Sequence, residues 1–228
     1  MVRVSCSKRF LLLHLPRTGV SSIIAALDNE LFIRAAPTPA NKLMSKYFWF
    51  VPRAIENTYL RAHETAAHVR RLLPAALFND YCKIAFVRNP YSWLVSLYEI
   101  VLQSPKHRHF EIVSAMRGFS AYVDWEIARN QRVQYRYLCD RHGQLLVDQV
   151  GYYERLSADA ARIFAALNVD LAPLPHVGQF TRRDYRDFYD AKTRKKVAAH
   201  WARDLELFGY DFDGHVSDAT GRSHTRAG

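Results

Sequence analysis

Residues 10–27, FLLLHLPRTGVSSIIAAL, predict a strand, a tight turn and a helix in succession. Residues 10–15 are an apolar run of strand length, and residues 16–19, PRTG, have the composition of a tight turn. The helix is predicted by apolar residues at helical spacing, namely Val20, Ile23, Ile24 and Leu27. A strand, a turn and a helix in this order direct unpaired backbone N–H groups and the positive end of the helix dipole toward an anion.

The side chains of this turn also suit an anion. Arg17 supplies a permanent positive charge, Gly19 lets the backbone approach a ligand closely, and hydroxyl donors are present at Thr18, Ser21 and Ser22. The turn is therefore interpreted as a phosphate or sulfate site. A structural alternative stands beside this interpretation, because many turns of this kind contain Gly with Ser or Thr only to cap the helix.

Length and charge restrict the class of protein. The 228 residues are enough for one domain with a full core, and 49% hydrophobic and 24% charged residues are ordinary for a globular protein. The formal net charge of +10 favours anionic partners, which include nucleic acid, anionic glycans, membrane surfaces and phosphorylated nucleotides. Composition does not choose among them.

The sequence contains no pattern typical of a membrane span, a signal peptide or a cysteine-based metal site. No apolar stretch is long enough to span a membrane, and polar residues interrupt the first ten positions, so no signal peptide is predicted. The three cysteines, Cys6, Cys82 and Cys139, form no close pair, which predicts neither a disulfide framework nor a zinc site. A cytoplasmic location is the resulting expectation.

The other elements follow from apolar spacing and from breaks at Gly, Pro and polar runs. Helices are predicted over residues 64–73, from Pro74 to about 81, over 91–102 and 119–129, from an N-cap at Ser157, and over 191–207; strands are predicted over 82–87 and 145–150; loops are predicted over 104–109 and 173–184. This alternation predicts one α/β domain over residues 1–213, with a mostly parallel central sheet flanked by helices, and a disordered tail over 214–228. Ligands of such sheets bind at the carboxyl ends of the strands.

Residues 29–62 interrupt this alternation with a loop that is both basic and aromatic. Lys42, Lys46 and Arg53 alternate there with the run YFWF at residues 47–50. Such a loop suits a substrate lid or a nucleic-acid contact. An insertion packed by its own aromatic residues is an equally good interpretation.

A second turn, after the predicted strand 82–87, offers a complementary anion site. Arg88 stands at the strand end, and Ser96 lies on the helix that follows. Guanidinium groups bind phosphate oxygens in pairs, and a nearby hydroxyl adds a donor. The structural alternatives are a surface ion pair for Arg88 and a hydroxyl bonded back to its own helix for Ser96.

The two turns exclude one large class of nucleotide enzymes. The P-loop pattern G-x-x-x-x-G-K-[ST] is absent, and the second strand ends in Arg88 where a magnesium-binding acid would stand. The pair of turns predicts a metal-free site for a nucleotide that carries separated anionic groups.

The residues of both turns resemble the sulfotransferases that use 3′-phosphoadenosine 5′-phosphosulfate (PAPS), in the branch of carbohydrate sulfotransferases with an H-I-P-K-T-G-G-T-type loop. Residues 14–21, HLPRTGVS, match that loop, and residues 86–91, FVRNPY, with 94–98, LVSLY, match the second family motif. Weaker similarity continues through QYRYLC at 134–139, VDQVGYYERL at 147–156 and DLELFGYDF at 204–212. The resemblance therefore extends over about residues 10–213.

The resemblance implies a P-loop-like α/β fold, PAPS as co-substrate, no metal, and transfer of a sulfuryl group to an acceptor hydroxyl or amine, with a saccharide as the expected acceptor and no nucleic-acid partner. Arg88 and Ser96 would bind the 3′-phosphate. Apart from the resemblance, Thr181, Arg182 and Arg183 of the late loop suit a contact that closes over the nucleotide, with a solvated run of charges as the alternative. The residues implied to bind the 5′-phosphosulfate are Pro16, Arg17, Thr18, Gly19, Val20, Ser21 and Ser22.

Two positions depart from the family loop. Arg17 stands where the family usually has Lys, and Val20 where a second Gly is common. Arg17 keeps the positive charge that would stabilise the leaving phosphate, but in a larger, planar group. A slow enzyme, or a non-catalytic module that binds anionic nucleotides, is thus an alternative, as is a kinase-like phosphotransferase with a variant loop that requires magnesium.

The resemblance also implies His63 as the general base, because related enzymes often place a histidine just before this helix at Glu64, and an imidazole titrates near neutral pH. Glu64 is the second candidate. His14 is interpreted as a structural residue of the apolar strand. His107 and His109 lie beside Lys106 and Arg108, which favours a solvated loop over a metal site.

Overall fold

A computed structural model describes residues 2–27, 63–130, 132–175 and 183–214. The described chain forms two compact units, one of residues 2–27, 63–87 and 135–175, the other of residues 88–130, 132–134 and 183–214. The predicted loop over 29–62, the tail from residue 215 and Thr181 lie outside the described residues.

The first unit contains a four-stranded sheet. Its strands are β1 (Arg3–Ser5), β2 (Phe10–Leu12), β3 (Cys82–Val87) and β4 (Gln149–Tyr152), in the order β1-β2-β3-β4. β1 pairs antiparallel with β2, whereas β2 with β3 and β3 with β4 are parallel. The prediction of a mostly parallel sheet is confirmed.

The described helices are, in chain order, α1 (Val20–Ala26), α2 (Ala66–Leu72), α3 (Ala75–Asp80), α4 (Pro90–Leu102), α5 (Phe110–Ser114), α6 (Phe119–Arg129), α7 (Gln134–Leu138), α8 (Leu156–Ala165), α9 (Ala191–His200) and α10 (Ala202–Phe208). Short 3-10 turns cover Tyr153–Arg155 and Tyr185–Phe188. No described helix is both long enough and apolar enough to cross a membrane.

The sheet of the first unit is buried on both faces because successive side chains of a strand point in opposite directions. On one face, Phe10 packs with Ile23 of α1 and Phe164 of α8. On the other face, Leu11 packs with Val69 of α2. Helices therefore flank the sheet, as the alternating pattern predicts.

The second unit is built around α4. This helix packs against α5, α6 and the 3-10 turn Tyr185–Phe188, and α9 packs against α6 and α10. The largest fully buried side chains of this unit are Trp93, Tyr122 and Trp201.

The structure corrects three predicted elements. Leu145 forms only an isolated bridge with Cys139, and regular pairing with β3 begins at Gln149. The 3-10 turn at 153–155 runs directly into α8, so Ser157 lies inside the helix and does not cap it. The helix predicted over 191–207 is divided at Trp201, whose buried indole N–H donates to the carbonyl oxygen of Arg132 at 2.6 Å.

Candidate functional site

The turn after β2 has a backbone shape that requires two positive φ angles. Arg17 has φ 62° and Gly19 has φ 82°, in the region that favours glycine. A Cβ atom on Gly19 would lie 2.5 Å from Cδ2 of Leu156 and 3.2 Å from Cδ2 of Tyr153. Both the backbone conformation and the close packing at this position therefore disfavour a side chain.

The first turn of α1 presents backbone N–H groups that donate to no backbone carbonyl of the described residues. Gly19 precedes the helix and makes no side-chain capping hydrogen bond. Within the described chain, the amides of Val20 and Ser21 donate to no backbone carbonyl, and the first bonded amide is that of Ser22, which donates to Gly19 at 3.0 Å. This part of the turn can donate hydrogen bonds to an anion without breaking any existing bond.

The predicted hydroxyl donors of the turn differ in their exposure. Thr18 is fully buried, and its hydroxyl donates to the carbonyl oxygen of Leu15 at 3.1 Å, which braces the turn from inside. Ser22 is also buried, whereas Ser21 is exposed. Ser21 is thus the hydroxyl of these three that can most directly reach a ligand.

His63 is exposed and its ring is oriented by the strand end. Its Nδ1 lies 2.8 Å from the carbonyl oxygen of His14, and the two imidazole rings stand edge to face at 5.0 Å between centroids. A carbonyl can only accept, so Nδ1 carries the proton and Nε2 is the acceptor nitrogen of the neutral ring. This tautomer is the one that a general base working through Nε2 requires.

His14 is held in its neutral form. Burial first, and then nearby positive charge that includes His63, lowers the pKa of His14 to about 4. A neutral imidazole inside the first unit does not add charge to the turn. The structural interpretation of this residue agrees with that environment.

Glu64, the second candidate base, is paired within its own segment. Its carboxylate lies 3.7 Å from Nε2 of His68, one helical turn further along the chain. The ring of His63 is oriented by the carbonyl oxygen of His14. The role of His63 as the base, with Glu64 as the second candidate, stays a prediction.

Arg88 is the first residue of the second unit, and its side chain is fixed at Nε. The guanidinium Nε donates to Oγ of Ser92 at 2.9 Å, and the Ser92 hydroxyl in turn donates to the carbonyl oxygen of Asn89 at 3.3 Å. Asn89 caps α4 by accepting from the Tyr91 amide at 3.0 Å. These bonds fix the near end of the Arg88 guanidinium, and a guanidinium is the group that binds phosphate oxygens in pairs.

Ser96 lies one turn beyond Ser92 on α4, and 6% of it is exposed. Its spacing of four residues from Ser92 places both hydroxyls on one face of the helix. The pattern of Arg88, Ser92 and Ser96 at intervals of four is visible in the sequence, and it is the signal by which Ser92 could have been found.

Gln134 is a partner of Arg88 that was not predicted from the sequence. The Arg88 amide donates to Oε1 of Gln134 at 2.9 Å, and Nε2 of Gln134 donates to the Arg88 carbonyl oxygen at 2.7 Å. Gln134 opens the QYRYLC stretch that resembles the family, but nothing in its own neighbourhood indicates a partner 46 positions away.

The late loop is only partly described. Arg183 lies with its guanidinium 4.8 Å from the ring centroid of Phe188, and Thr181 is outside the described residues. The role of both residues in closing over a nucleotide stays a prediction.

The histidines of the 104–109 loop have a strongly basic environment. Nε of Arg108 donates to Nε2 of His109 at 2.8 Å, and burial followed by the positive charge of Arg129 lowers the pKa of His109 to about 4. Within the described ranges, no group of three or more His, Cys, Asp or Glu side chains is placed to hold a metal ion.

Comparison with solved structures finds one similar chain, the crystal structure of mouse sulfotransferase SULT7A1 complexed with PAP. The TM-score is 0.48 and the sequence identity 12%, over 85% of this chain and 82% of that one. Comparison with curated protein sequences gives no match.

A family model described as the Sulfotransferase family matches residues 51–211, which is more than two thirds of the chain. The matched span contains His63, Arg88, Ser96 and Gln134 and begins after the first turn. The resemblance stated from the two turn motifs is confirmed by this match. The chain therefore belongs to the sulfotransferase family.

Proposed function

We propose that this sulfotransferase uses PAPS as donor substrate and transfers its sulfuryl group, without a metal ion, to a hydroxyl of a saccharide acceptor. Family membership supports the sulfuryl transfer. The identity of the donor, the acceptor class and the roles of individual residues are the proposed part. An amine acceptor would use the same steps.

One observation carries the proposal: two backbone N–H groups at the start of α1 have no backbone acceptor among the described residues, and a permanently charged arginine precedes them in the turn at residues 16–22. The amides of Val20 and Ser21 have no backbone acceptor in the described chain, and Arg17 stands two positions before the helix cap. A phosphosulfate carries negative charge at every pH of interest, so fixed donors and a fixed positive charge bind it without a metal.

His63 would activate the acceptor. Its Nε2 takes the proton of the acceptor hydroxyl, the acceptor oxygen forms a bond to sulfur, and the bond from sulfur to the bridging oxygen of the phosphate breaks. The electron pair of that bond leaves with adenosine 3′,5′-bisphosphate (PAP). Arg17 stabilises the negative charge that develops on the leaving phosphate, as a donor aimed at the transition state must.

Arg88 and Ser96 are the proposed ligands of the 3′-phosphate, with Arg183 and Thr181 as additional contacts. The support for Arg88 is its half-buried position and the hydrogen bonds that fix its Nε and its backbone. A preorganised guanidinium binds a phosphate with a smaller loss of side-chain freedom than a mobile one.

A saccharide acceptor is proposed from the resemblance to carbohydrate sulfotransferases and from the net charge of +10, which favours an anionic glycan. Part of that charge would serve the nucleotide, so the charge alone does not define the acceptor. Direct transfer assays with saccharide and amine acceptors therefore decide this part.

Calorimetric titration with PAP, with and without magnesium, tests the donor assignment. We expect binding that is independent of magnesium and that weakens by about tenfold or more in Arg88→Ala, since a charged hydrogen-bonding group is lost. The matched control is Arg162→Ala, which removes an exposed arginine that pairs with Asp159 on α8 and should leave the affinity unchanged.

Two results would overturn the proposal. Binding that requires magnesium would favour the kinase-like alternative. Absence of PAP binding together with salt-sensitive binding of nucleic acid would favour the non-catalytic module.

A further inference from the structure

The backbone of Arg88 is paired with a side chain where strand pairing has ended. The parallel register between β3 and β4 ends with Val87 opposite Tyr152, so Arg88 is the first residue after β3. Its N–H donates to Oε1 of Gln134 at 2.9 Å, and its C=O accepts from Nε2 of the same side chain at 2.7 Å. The amide of Gln134 thus supplies both bonds that a neighbouring strand would have made.

Gln134 is itself held in one place. Its side chain is fully buried, and its backbone amide donates to Oδ2 of Asp204 at 2.7 Å. Asp204 is fully buried on α10. A buried amide with both functional groups bonded has no alternative rotamer that keeps those bonds, so the position of Arg88 is dictated by the second unit itself.

Arg88 is also fixed further out, along its own side chain. Nε of Arg88 donates to Ser92, which leaves the guanidinium oriented at its near end. The two bonds from Gln134 fix the backbone of Arg88, and the bond to Ser92 fixes its side chain. Loss of the two bonds to Gln134 would remove part of what fixes the Arg88 backbone and increase the number of positions that the guanidinium visits.

We propose that Gln134 is a positioning residue for recognition of the 3′-phosphate, acting through the backbone of Arg88. The inference rests on the proposed function, because it takes Arg88 as the ligand of that phosphate. Gln134 would set discrimination between nucleotides with and without a 3′-phosphate, and would leave the contacts to the 5′-phosphate unchanged.

The test measures the dissociation constants of PAP and of adenosine 5′-monophosphate (AMP), which lacks the 3′-phosphate, for wild type, Gln134→Leu and Gln134→Glu. Leucine keeps the approximate volume and removes both hydrogen bonds. Glutamate keeps the shape and can still accept from the Arg88 amide, but as a carboxylate it has no proton for the Arg88 carbonyl oxygen.

We expect the ratio of the AMP to the PAP dissociation constant to fall about tenfold in Gln134→Leu and by a smaller factor in Gln134→Glu, with AMP affinity nearly unchanged. Thr193→Val is the matched control. Thr193 is also buried in the second unit and donates to Oγ of Ser120 at 2.9 Å, so its loss costs a buried hydrogen bond away from Arg88. The ratio of the AMP to the PAP dissociation constant in Thr193→Val should equal that of wild type.

The outcomes separate this inference from the proposed function. A wild-type protein that does not distinguish PAP from AMP would overturn both. A wild type that distinguishes them, together with folded Gln134 variants that keep the ratio, would overturn the inference alone. If Gln134→Leu fails to fold, the Gln134→Glu ratio decides.

Discussion

His63 is the residue on which the proposed chemistry most depends, because its tautomer follows from one hydrogen bond. The His14 carbonyl accepts from Nδ1, so Nε2 carries the lone pair. That carbonyl belongs to the chain directly before the turn at residues 16–22. The proposed base and the proposed leaving-group site are consequently linked through a few residues of one strand end.

Replacement of His63 by alanine should lower kcat by about 10²- to 10⁴-fold, the usual range for a lost general base, with little change in the affinity for PAP. Steady-state sulfate transfer and PAP titration measure the two effects. His68→Ala is the control, since His68 pairs with Glu64 and has no proposed contact with the acceptor. Equal losses in both variants would contradict the role of His63.

His14 gives the stability of the protein a defined dependence on pH. Its pKa in the folded state is about 4, below the ordinary value of 6.5, so between these values the unfolded chain binds the extra proton. Stability should therefore fall as pH decreases from 6.5 toward 4. After allowance for partial exposure of the ring, the effect is about 1–2 kcal/mol.

His14→Gln should flatten this dependence in denaturant unfolding measured across the same pH range. His109, whose pKa is also lowered to about 4, contributes in the same direction, and His109→Gln serves as the comparison. A His14 variant with the full wild-type slope would contradict the prediction.

Among the elements, the junction of α1 with the turn before α8 is sensitive to a small change. Gly19→Ala adds a methyl group 2.5 Å from Leu156 at a residue with φ 82°. We expect a loss of about 1–3 kcal/mol in the free energy of unfolding, since backbone strain and overpacking add.

A double-mutant cycle with Leu156→Ala separates the two causes. Removal of the leucine side chain makes room for the new methyl group, so the double variant should be more stable than the sum of the single effects by about 1 kcal/mol. The part that is not recovered measures the cost of a positive φ. Strict additivity would show that packing contributes nothing.

The sequence predicts the elements best where an apolar run ends in a strong turn signal. CKIAFV is followed by Arg88, Asn89 and Pro90, and β3 and α4 begin and end close to the predicted positions. The prediction fails where tertiary contacts decide. Trp201 has helical spacing, yet its bond to the Arg132 carbonyl and a φ of −99° interrupt the helix there.

For the molecule as a whole, the second unit depends on two stretches of chain that are distant in sequence. Nδ2 of Asn89 donates to the carbonyl oxygen of Asp211 at 2.7 Å, and the ring of Phe212 lies edge to face with those of Tyr91 and Tyr189 at 4.9 and 5.6 Å. The cap of α4 is thus completed by residues more than a hundred positions later.

Phe212→Ala should therefore lower the free energy of unfolding by about 2 kcal/mol, through lost burial and lost aromatic contacts. Denaturant unfolding followed by tryptophan fluorescence measures the change. Ile112→Ala is the control, because 52% of Ile112 is exposed and its loss should cost under about 0.5 kcal/mol. Equal effects would contradict the packing argument.

The sequence identifies candidate ligand residues where charged and glycine residues stand together in a short motif. Arg17, Gly19 and Arg88 are recognised from their own neighbours in sequence. Gln134 and Asp204 could not be recognised in this way, since each acts on a residue at least 46 positions away. Local sequence patterns identify the charged residues, whereas the residues that position them by hydrogen bonds are identified only from the folded structure.

The unbonded amides at the start of α1 have a consequence for deuterium labelling. Amide hydrogens without an acceptor exchange rapidly when water reaches them, and those of Val20 and Ser21 have none in the described backbone. An anion bound to the turn would slow their exchange, while the bonded amides of the same helix would change little. Hydrogen exchange at these two residues would then report occupancy of the turn directly, before any acceptor for the reaction is known.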